Sequence, residues 1–264
     1  MNYCIRIFIL LIICTILSSC AVISFTKSEK RTLDHETVEI APEINITATG
    51  AVFMKLFGVI KSDFFPSGFM VEIKDAIVYI DPVVVDDSTK ADYILITHTH
   101  ADHFSKTDIE NLSSNKTLII APENVTKKLQ NFNTKSIKLR DTLLFENFTC
   151  EVVPAYNIKT GFFHMPIHKK SNNFVGYIIS SDSTRIYHAG DTDFIPEMHD
   201  FENITVALVP IGEGKTAMNP ETAAKAIYAI QPKLVIPMHF ELDQNRENEF
   251  LQLLNENIAV KILK

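Results

Sequence analysis

Between Thr97 and Phe104 the chain reads Thr-His-Thr-His-Ala-Asp-His-Phe, three imidazoles and a carboxylate within six positions, His98 to His103. No other stretch restricts the fold as strongly. It follows the apolar run Tyr93-Ile94-Leu95-Ile96, which reads as a buried strand. Strands of α/β folds commonly deliver functional groups at their C-terminal ends. Alternation along the emerging chain puts His98 and His100 on one side. Asp102 and His103 fall where the chain turns toward a helix. Neutral imidazoles and carboxylates are good ligands for zinc and similar divalent ions. Four such groups are costly to pack unless a cation or hydrogen bonds hold them.

The pattern His-x-His-x-Asp-His resembles the signature of the metallo-β-lactamase superfamily, dinuclear metallohydrolases with a four-layer αβ/βα sandwich of α/β class. That resemblance implies ligands from further segments, and three supply them. The first runs Val152-Val153-Pro154-Ala155-Tyr156-Asn157, with His164 and His168 beyond it. Many relatives carry a His where this chain has Asn157. A subgroup with Ala-Tyr-Asn, then His-Pro-Lys, then Val-Gly-Tyr fits better: Val175-Gly176-Tyr177 lies seven residues after His168. His168 is therefore the expected third imidazole of the first metal, with His164 as runner-up. The second segment is Ile186-Tyr187-His188-Ala189-Gly190-Asp191. Gly190 permits a sharp turn, and the Asp of Gly-Asp bridges both metals in the family. His188 is expected to face the substrate or support a ligand. The third is Ile236-Pro237-Met238-His239, which resembles the segment closing the second metal, shared with Asp102 and His103.

The implied cofactors are thus two Zn2+ ions held by His98, His100, Asp102, His103, His168, Asp191 and His239, with Mn2+ or iron as substitutes. A water shared by two cations has its pKa lowered toward neutrality and becomes a hydroxide nucleophile. Asp102 would orient it as well as ligate. For the proton delivered to the leaving group, His188 and a metal-bound water are both open. Asp81, in Asp81-Pro82, lies beneath the metals in relatives and is either an acceptor for a ligating His or a strand-ending turn residue. The family's His before that strand is missing from Phe65-Pro66-Ser67-Gly68.

The wording Ile-Tyr-His-Ala-Gly-Asp and Ile-Pro-Met-His resembles the branch containing bacterial ascorbate-phosphate lactonase and N-acyl-phosphatidylethanolamine phospholipase D. The expected substrate is a small or lipid-derived phosphodiester, lactone or other ester. The competing expectation is a non-catalytic metal-binding lipoprotein domain whose first site Asn157 impairs. Gly212-Glu213-Gly214-Lys215-Thr216 is no phosphate loop, since the first Gly of that motif would fall at Val209.

Upstream, Arg6 followed by the apolar run Ile7–Leu17 reads as a signal peptide over residues 1–19, too short for a comfortable membrane span. Leu17-Ser18-Ser19-Cys20 resembles a lipobox, which implies a bacterial cell-envelope lipoprotein anchored through Cys20. Residues 20–43 read as a tether and 44–264 as the hydrolase domain. Cys4 and Cys14 leave with the signal, and Cys150 remains as a core residue. Losing Arg6 leaves 24 basic against 32 acidic side chains, a net charge near −8. With no cationic track, nucleic acid is not an expected partner. Ser105 and Asn219-Pro220 read as helix starts, and Ala223, Ala224, Ile227 and Ile230 as the buried stripe of the second of those helices.

Overall fold

The computed structural model describes residues 23–31, 36–56, 60–86, 89–158 and 167–263. The signal, the lipobox and His164 lie outside the described residues. The N-terminal half supplies strands β1 (Ile23–Lys27), β2 (Thr37–Ala41), β3 (Ile44–Ala48), β4 (Val52–Leu56) and β5 (Ile60–Phe65). It continues through β6 (Phe69–Ile73), β7 (Ala76–Ile80), β8 (Tyr93–Leu95), helix α1 (Lys106–Leu112), β9 (Leu118–Pro122), helix α2 (Glu123–Thr126) and β10 (Thr134–Ile137). The C-terminal half has β11 (Thr142–Leu144), β12 (Thr149–Pro154), β13 (Val175–Ser181), β14 (Thr184–His188) and β15 (Val206–Pro210). Helix α3 (Pro220–Ile230), β16 (Leu234–Met238), β17 (Phe240–Glu241), helix α4 (Arg246–Leu253) and β18 (Ala259–Val260) complete it.

Two seven-stranded sheets form the body, in the orders β10-β9-β8-β7-β6-β3-β2 and β11-β12-β13-β14-β15-β16-β18. One apolar core joins their facing surfaces, from Val71, Val78 and Ile120 on the first sheet to Val152, Ile179 and Leu208 on the second. A separate cluster packs Ile109 and Leu112 of α1 and Val125 of α2 onto Ile94 and Ile119 of the first sheet. On the second sheet, α3 buries Ala223, Ala224, Ala226, Ile227 and Ile230. The result is the expected αβ/βα sandwich. One half of each sheet pairs antiparallel (β2-β3-β6-β7; β11-β12-β13-β14) and the other half parallel (β7-β8-β9-β10; β14-β15-β16-β18). The C-terminal ends of those parallel strands meet at one edge.

Local chemistry explains the boundaries. Asn219 caps α3, accepting from the Thr222 N–H, while Thr222 Oγ1 accepts from the Asn219 N–H, with Pro220 at the first turn. Ser105 caps α1 through the Asp108 N–H. Lys74-Asp75 forms the turn between β6 and β7. Tyr177, wholly buried, spans the sheets by donating its hydroxyl to the Ile96 carbonyl at 2.7 Å, one residue short of the histidine cluster's threonine.

Two expectations need correction. The stretch 20–43 contains two strands: β1 pairs with β4, and β2 with β3. Both are edge strands: Ile23-Ser24-Phe25-Thr26 and Thr37-Val38-Glu39-Ile40 alternate apolar with polar residues, but none of their positions is fully buried, so the short pattern marks no core-facing side. Ala121-Pro122-Glu123-Asn124 also reads as the lead into a helix near Val125 to Phe132; what forms is a single turn, Glu123–Thr126, after which the chain proceeds in turns. A third, four-stranded sheet, β1-β4-β5-β17, stands beside the site edge.

Candidate metal centre

The site grows out of four strand ends and one loop. At the end of β8, the Asp81 N–H donates to the Leu95 carbonyl, and Asp81 Oδ1 accepts from the Thr97 N–H at 2.8 Å. The chain then wraps tightly, with the His103 and Phe104 N–H groups donating to the His100 carbonyl. That turn brings His103 back beside His98, ring centroids 4.1 Å apart. At the end of β14, Gly190 takes φ +60°, and a Cβ there would sit 2.7 Å from the Val175 carbonyl oxygen. The turn lays Asp191 against the histidines. At the end of β16, His239 itself has φ +54°, a conformation that costs an L-residue about 1–2 kcal/mol. His168 comes from the loop between β12 and β13.

Two donor groups result: His98, His100, His168 and Asp191, and Asp102, His103 and His239, each with ligand atoms within 4.8 Å of one another. Asp191 divides its oxygens between them. Its Oδ1 lies 3.3 Å from His103 Nε2 and 3.2 Å from His239 Nε2. Its Oδ2 lies 4.0 Å from both His98 Nε2 and His168 Nε2. His168 Nε2 is 3.2 Å from His100 Nδ1, and His239 Nε2 is 3.2 Å from Asp102 Oδ2. Ligands about 2 Å from a tetrahedral ion stand a little over 3 Å apart, so the donors fit divalent cations. Buried His98 Nε2, His103 Nε2 and Asp191 Oδ1 have no hydrogen-bond partner, an arrangement that a cation would satisfy.

Asp81 organises the imidazoles. Its Oδ2 accepts from His103 Nδ1 at 2.7 Å and from Thr97 Oγ1 at 2.6 Å. Because Thr97 Oγ1 gives its proton to Asp81, it accepts from His98 Nδ1 at 3.0 Å. Both rings therefore carry their proton on Nδ1 and aim the Nε2 lone pair at the donor groups. Of the two readings of Asp81, the acceptor for a ligating His is the one the geometry matches.

The electrostatics differ between the groups. Burial pushes His98 and His100 below the usual imidazole value and His168 down to about 4, keeping the nitrogens neutral. Burial also opposes protonation of His103 and His239, but the carboxylates of Asp191 and Asp102 outweigh it and raise both, His239 to about 9. Burial works against ionisation of Asp191 and Asp102 too, and the neighbouring histidines hold both carboxyls well below their ordinary value. The second group thus keeps protons that a cation would displace.

All seven expected metal-site residues stand together. His188 does not join them: it is fully buried, its Nε2 donates to the Ser67 carbonyl at 2.8 Å, and its Nδ1 accepts from the Gly190 N–H at 3.2 Å. With both nitrogens committed to backbone, it has none free for proton transfer and instead ties the Asp191 turn to the loop before β6. The strand-end position suggested reactivity; its backbone partners were not visible in the sequence.

Beside Asp102 and His239 opens a cavity of about 220 Å³. Met54 and Phe64 from the β4–β5 hairpin, Ala217 and Phe240 give it apolar walls, while Lys215 and Arg246 stand among its polar lining. Phe64 meets the His239 ring edge-on at 4.9 Å. Asp102, with 24% of its side chain exposed, is the most open carboxylate of the centre. None of the hairpin residues was singled out from sequence; the cross-strand pairing of Val52 with Phe64, which orders that wall, is a tertiary fact. Gly212, Glu213, Lys215 and Thr216, from the loop after β15, line the same cavity.

Residues 65–239 match the family model described as a beta-lactamase superfamily domain. A UPF0173 metal-dependent hydrolase from Nanoarchaeum equitans is 34% identical over 178 residues, 66% of this chain and 80% of that relative. A crystal structure from Parabacteroides distasonis, described as a metal-dependent hydrolase, superposes with TM-score 0.69 at 29% identity, over 88% of this chain and 99% of the other. A metallo hydrolase from Ignicoccus hospitalis shares the fold, with TM-score 0.62 at 23% identity over 76% of this chain and 93% of its own.

Proposed function

From the premise that the chain belongs to the metallo-β-lactamase superfamily, and within it to the UPF0173 metal-dependent hydrolases, we propose that it hydrolyses a phosphodiester, lactone or other ester at a dinuclear zinc centre. Metal-dependent hydrolysis is the property of the family; the paired ions and the ester class are our reading. The observation that carries it is the division of Asp191, one oxygen toward His103 and His239 and the other toward His98 and His168. A single carboxylate so placed fixes the spacing of two ions.

His98, His100 and His168 would hold one ion, Asp102, His103 and His239 the other, and Asp191 both. Bound there, the ions supply Lewis acidity and a water acidic enough to ionise near neutral pH. Asp102, on the open side, accepts a hydrogen bond from the attacking water and orients it. Asp81 and Thr97 hold the Nδ1 protons of His103 and His98, so that Nε2 is the nitrogen each ring offers to an ion. The cavity lined by Met54, Phe64 and Phe240 receives a compact apolar portion of the substrate and excludes water from it. The resemblance to the lactonase and phospholipase D branch supplies the probe chemistries. Against the alternative of an impaired first site speaks the place of His168 among the first donor group despite Asn157.

The test is metal analysis followed by turnover of bis-(p-nitrophenyl) phosphate, a γ-lactone and p-nitrophenyl acetate. Near two equivalents of metal, with turnover abolished by a chelator and by Asp191→Ala, is the expected result. Less than half an equivalent and no turnover on any probe overturns the reading. Export and membrane anchoring through Cys20 are part of the same proposal, resting on residues 1–20. Incorporation of labelled palmitate that disappears in Cys20→Ala tests it.

A further inference from the structure

Asn157 stands where many relatives have a histidine, yet it is buried, 4% exposed. Its Oδ1 accepts from the His168 N–H at 2.9 Å, and its own N–H donates to the His168 carbonyl at 2.8 Å. Its Nδ2 donates to the Thr216 carbonyl at 2.9 Å. A backbone donor on one side and a backbone carbonyl on the other settle the orientation of the amide. The residues on either side of it, Tyr156 and Ile158, are stitched to the turn carrying Asp191. Tyr156 N–H donates to Thr192 Oγ1 at 3.2 Å, Asp193 N–H donates to the Tyr156 carbonyl at 2.9 Å, and Ile158 N–H donates to Asp193 Oδ2 at 2.8 Å. Asn157 thus joins the backbone of His168 to the Thr216 edge of the cavity, while its neighbours Tyr156 and Ile158 fasten the same stretch to the segment of Asp191.

We propose that Asn157 is a positioning residue: it locks the loop-borne His168 into the first metal group and ties that group to the cavity wall at Thr216. His168 reaches the first group from a loop and not from a strand end, and the amide is what holds that loop. A loop without such a clamp would have to be ordered by the ion itself, and that ordering cost would come out of the affinity. The inference rests on the proposed membership of His168 in the first metal group.

The test is competition titration of two ions into full-length Asn157→Ala, Asn157→Asp and His168→Ala, with Co2+ absorption reporting each site and thermal melting as a folding control. Groups supporting ligands typically alter metal affinity 10- to 100-fold. Asn157→Ala is expected to weaken the first ion at least about 10-fold and leave the second within about 3-fold. Asn157→Asp keeps the acceptor for the His168 N–H but opposes the Thr216 carbonyl. It should hold first-ion affinity within about 3-fold while KM rises and kcat stays near wild type. A folded Asn157→Ala with wild-type affinity for both ions overturns the proposal. If that variant does not fold, a 10-fold loss of the first ion in Asn157→Asp overturns it instead. His168→Ala with an undiminished first ion refutes the ligand assignment rather than the clamp.

Discussion

Asp81→Asn separates the role of charge from that of shape at the centre. The carboxylate accepts three hydrogen bonds inside the fold: from Thr97 N–H at 2.8 Å, Thr97 Oγ1 at 2.6 Å and His103 Nδ1 at 2.7 Å. An amide of the same shape keeps one acceptor for the Thr97 N–H and turns an NH2 toward the other two donors. His103 can accept from that NH2 only by moving its own proton to Nε2, the nitrogen that faces Asp191 and His239. Ligation then requires the unfavoured tautomer, and supporting groups of this kind are worth 10- to 100-fold in metal affinity, about 1.4–2.7 kcal/mol. The second ion, which His103 would hold, should therefore weaken 10- to 100-fold, and the first, reached only through Thr97, by less. Thr97→Val is the converse control: it removes the relay to His98 Nδ1 and should weaken the first ion more than the second. Competition against a chromophoric chelator measures both constants. Second-ion affinity within about threefold of wild type in Asp81→Asn would refute the tautomer argument.

Further consequences are open to simple measurement. In Gly176→Ala the new Cβ would lie 2.7 Å from the His188 carbonyl oxygen and 2.9 Å from that of Ala189. Since the obstacle is backbone, the variant should lose about 1–3 kcal/mol, read as a lower denaturant midpoint at an unchanged slope. His188 is buried neutral, its folded value pushed below the ordinary imidazole range by desolvation. Its contribution is thus complete above about pH 6.5 and declines as pH falls below that, where the unfolded chain binds the proton. The stability advantage of wild type over His188→Gln should accordingly narrow between pH 7.5 and 5, and a gap that widens over that range would contradict the buried neutral ring. The Cys150 thiol is pushed up to about 12 by burial, so peptide mapping should find it unalkylated by iodoacetamide at pH 8 in the native protein and fully alkylated after denaturation.

What the sequence discloses and what it hides follow from how local each signal is. His98, His100, Asp102 and His103 are legible because they sit in one turn after one strand. Asp191 and His239 are legible because each ends an apolar run whose wording the family shares. His168 required a choice between two histidines, in which spacing to Val175-Gly176-Tyr177 favoured it over His164. The clamp was hidden, because Asn157 acts on residues 11 and 59 positions away, and nothing local distinguishes a buried amide from a surface one. Of the roles open to His188, the supporting one matches its place in the fold and the reactive one does not: alternation gives the face of a strand but not the carbonyl that waits there. The strands inside 20–43 were hidden because an edge strand is defined by its neighbour. The cavity lies at the junction of a hairpin, a loop and a helix start, which no single stretch encodes.

The small four-stranded sheet carries a consequence for where the enzyme could meet its substrate. Phe25 of β1 pairs across from Met54, which forms part of the cavity wall. A lipid attached at Cys20, as proposed, would be three residues upstream of Ile23, a leash of at most about 10 Å. Such a leash is too short to let the domain roam: it would hold the hairpin, and the mouth beside it, within roughly a headgroup's depth of the bilayer surface. Diffusion of the reactant would then be a search in two dimensions instead of three.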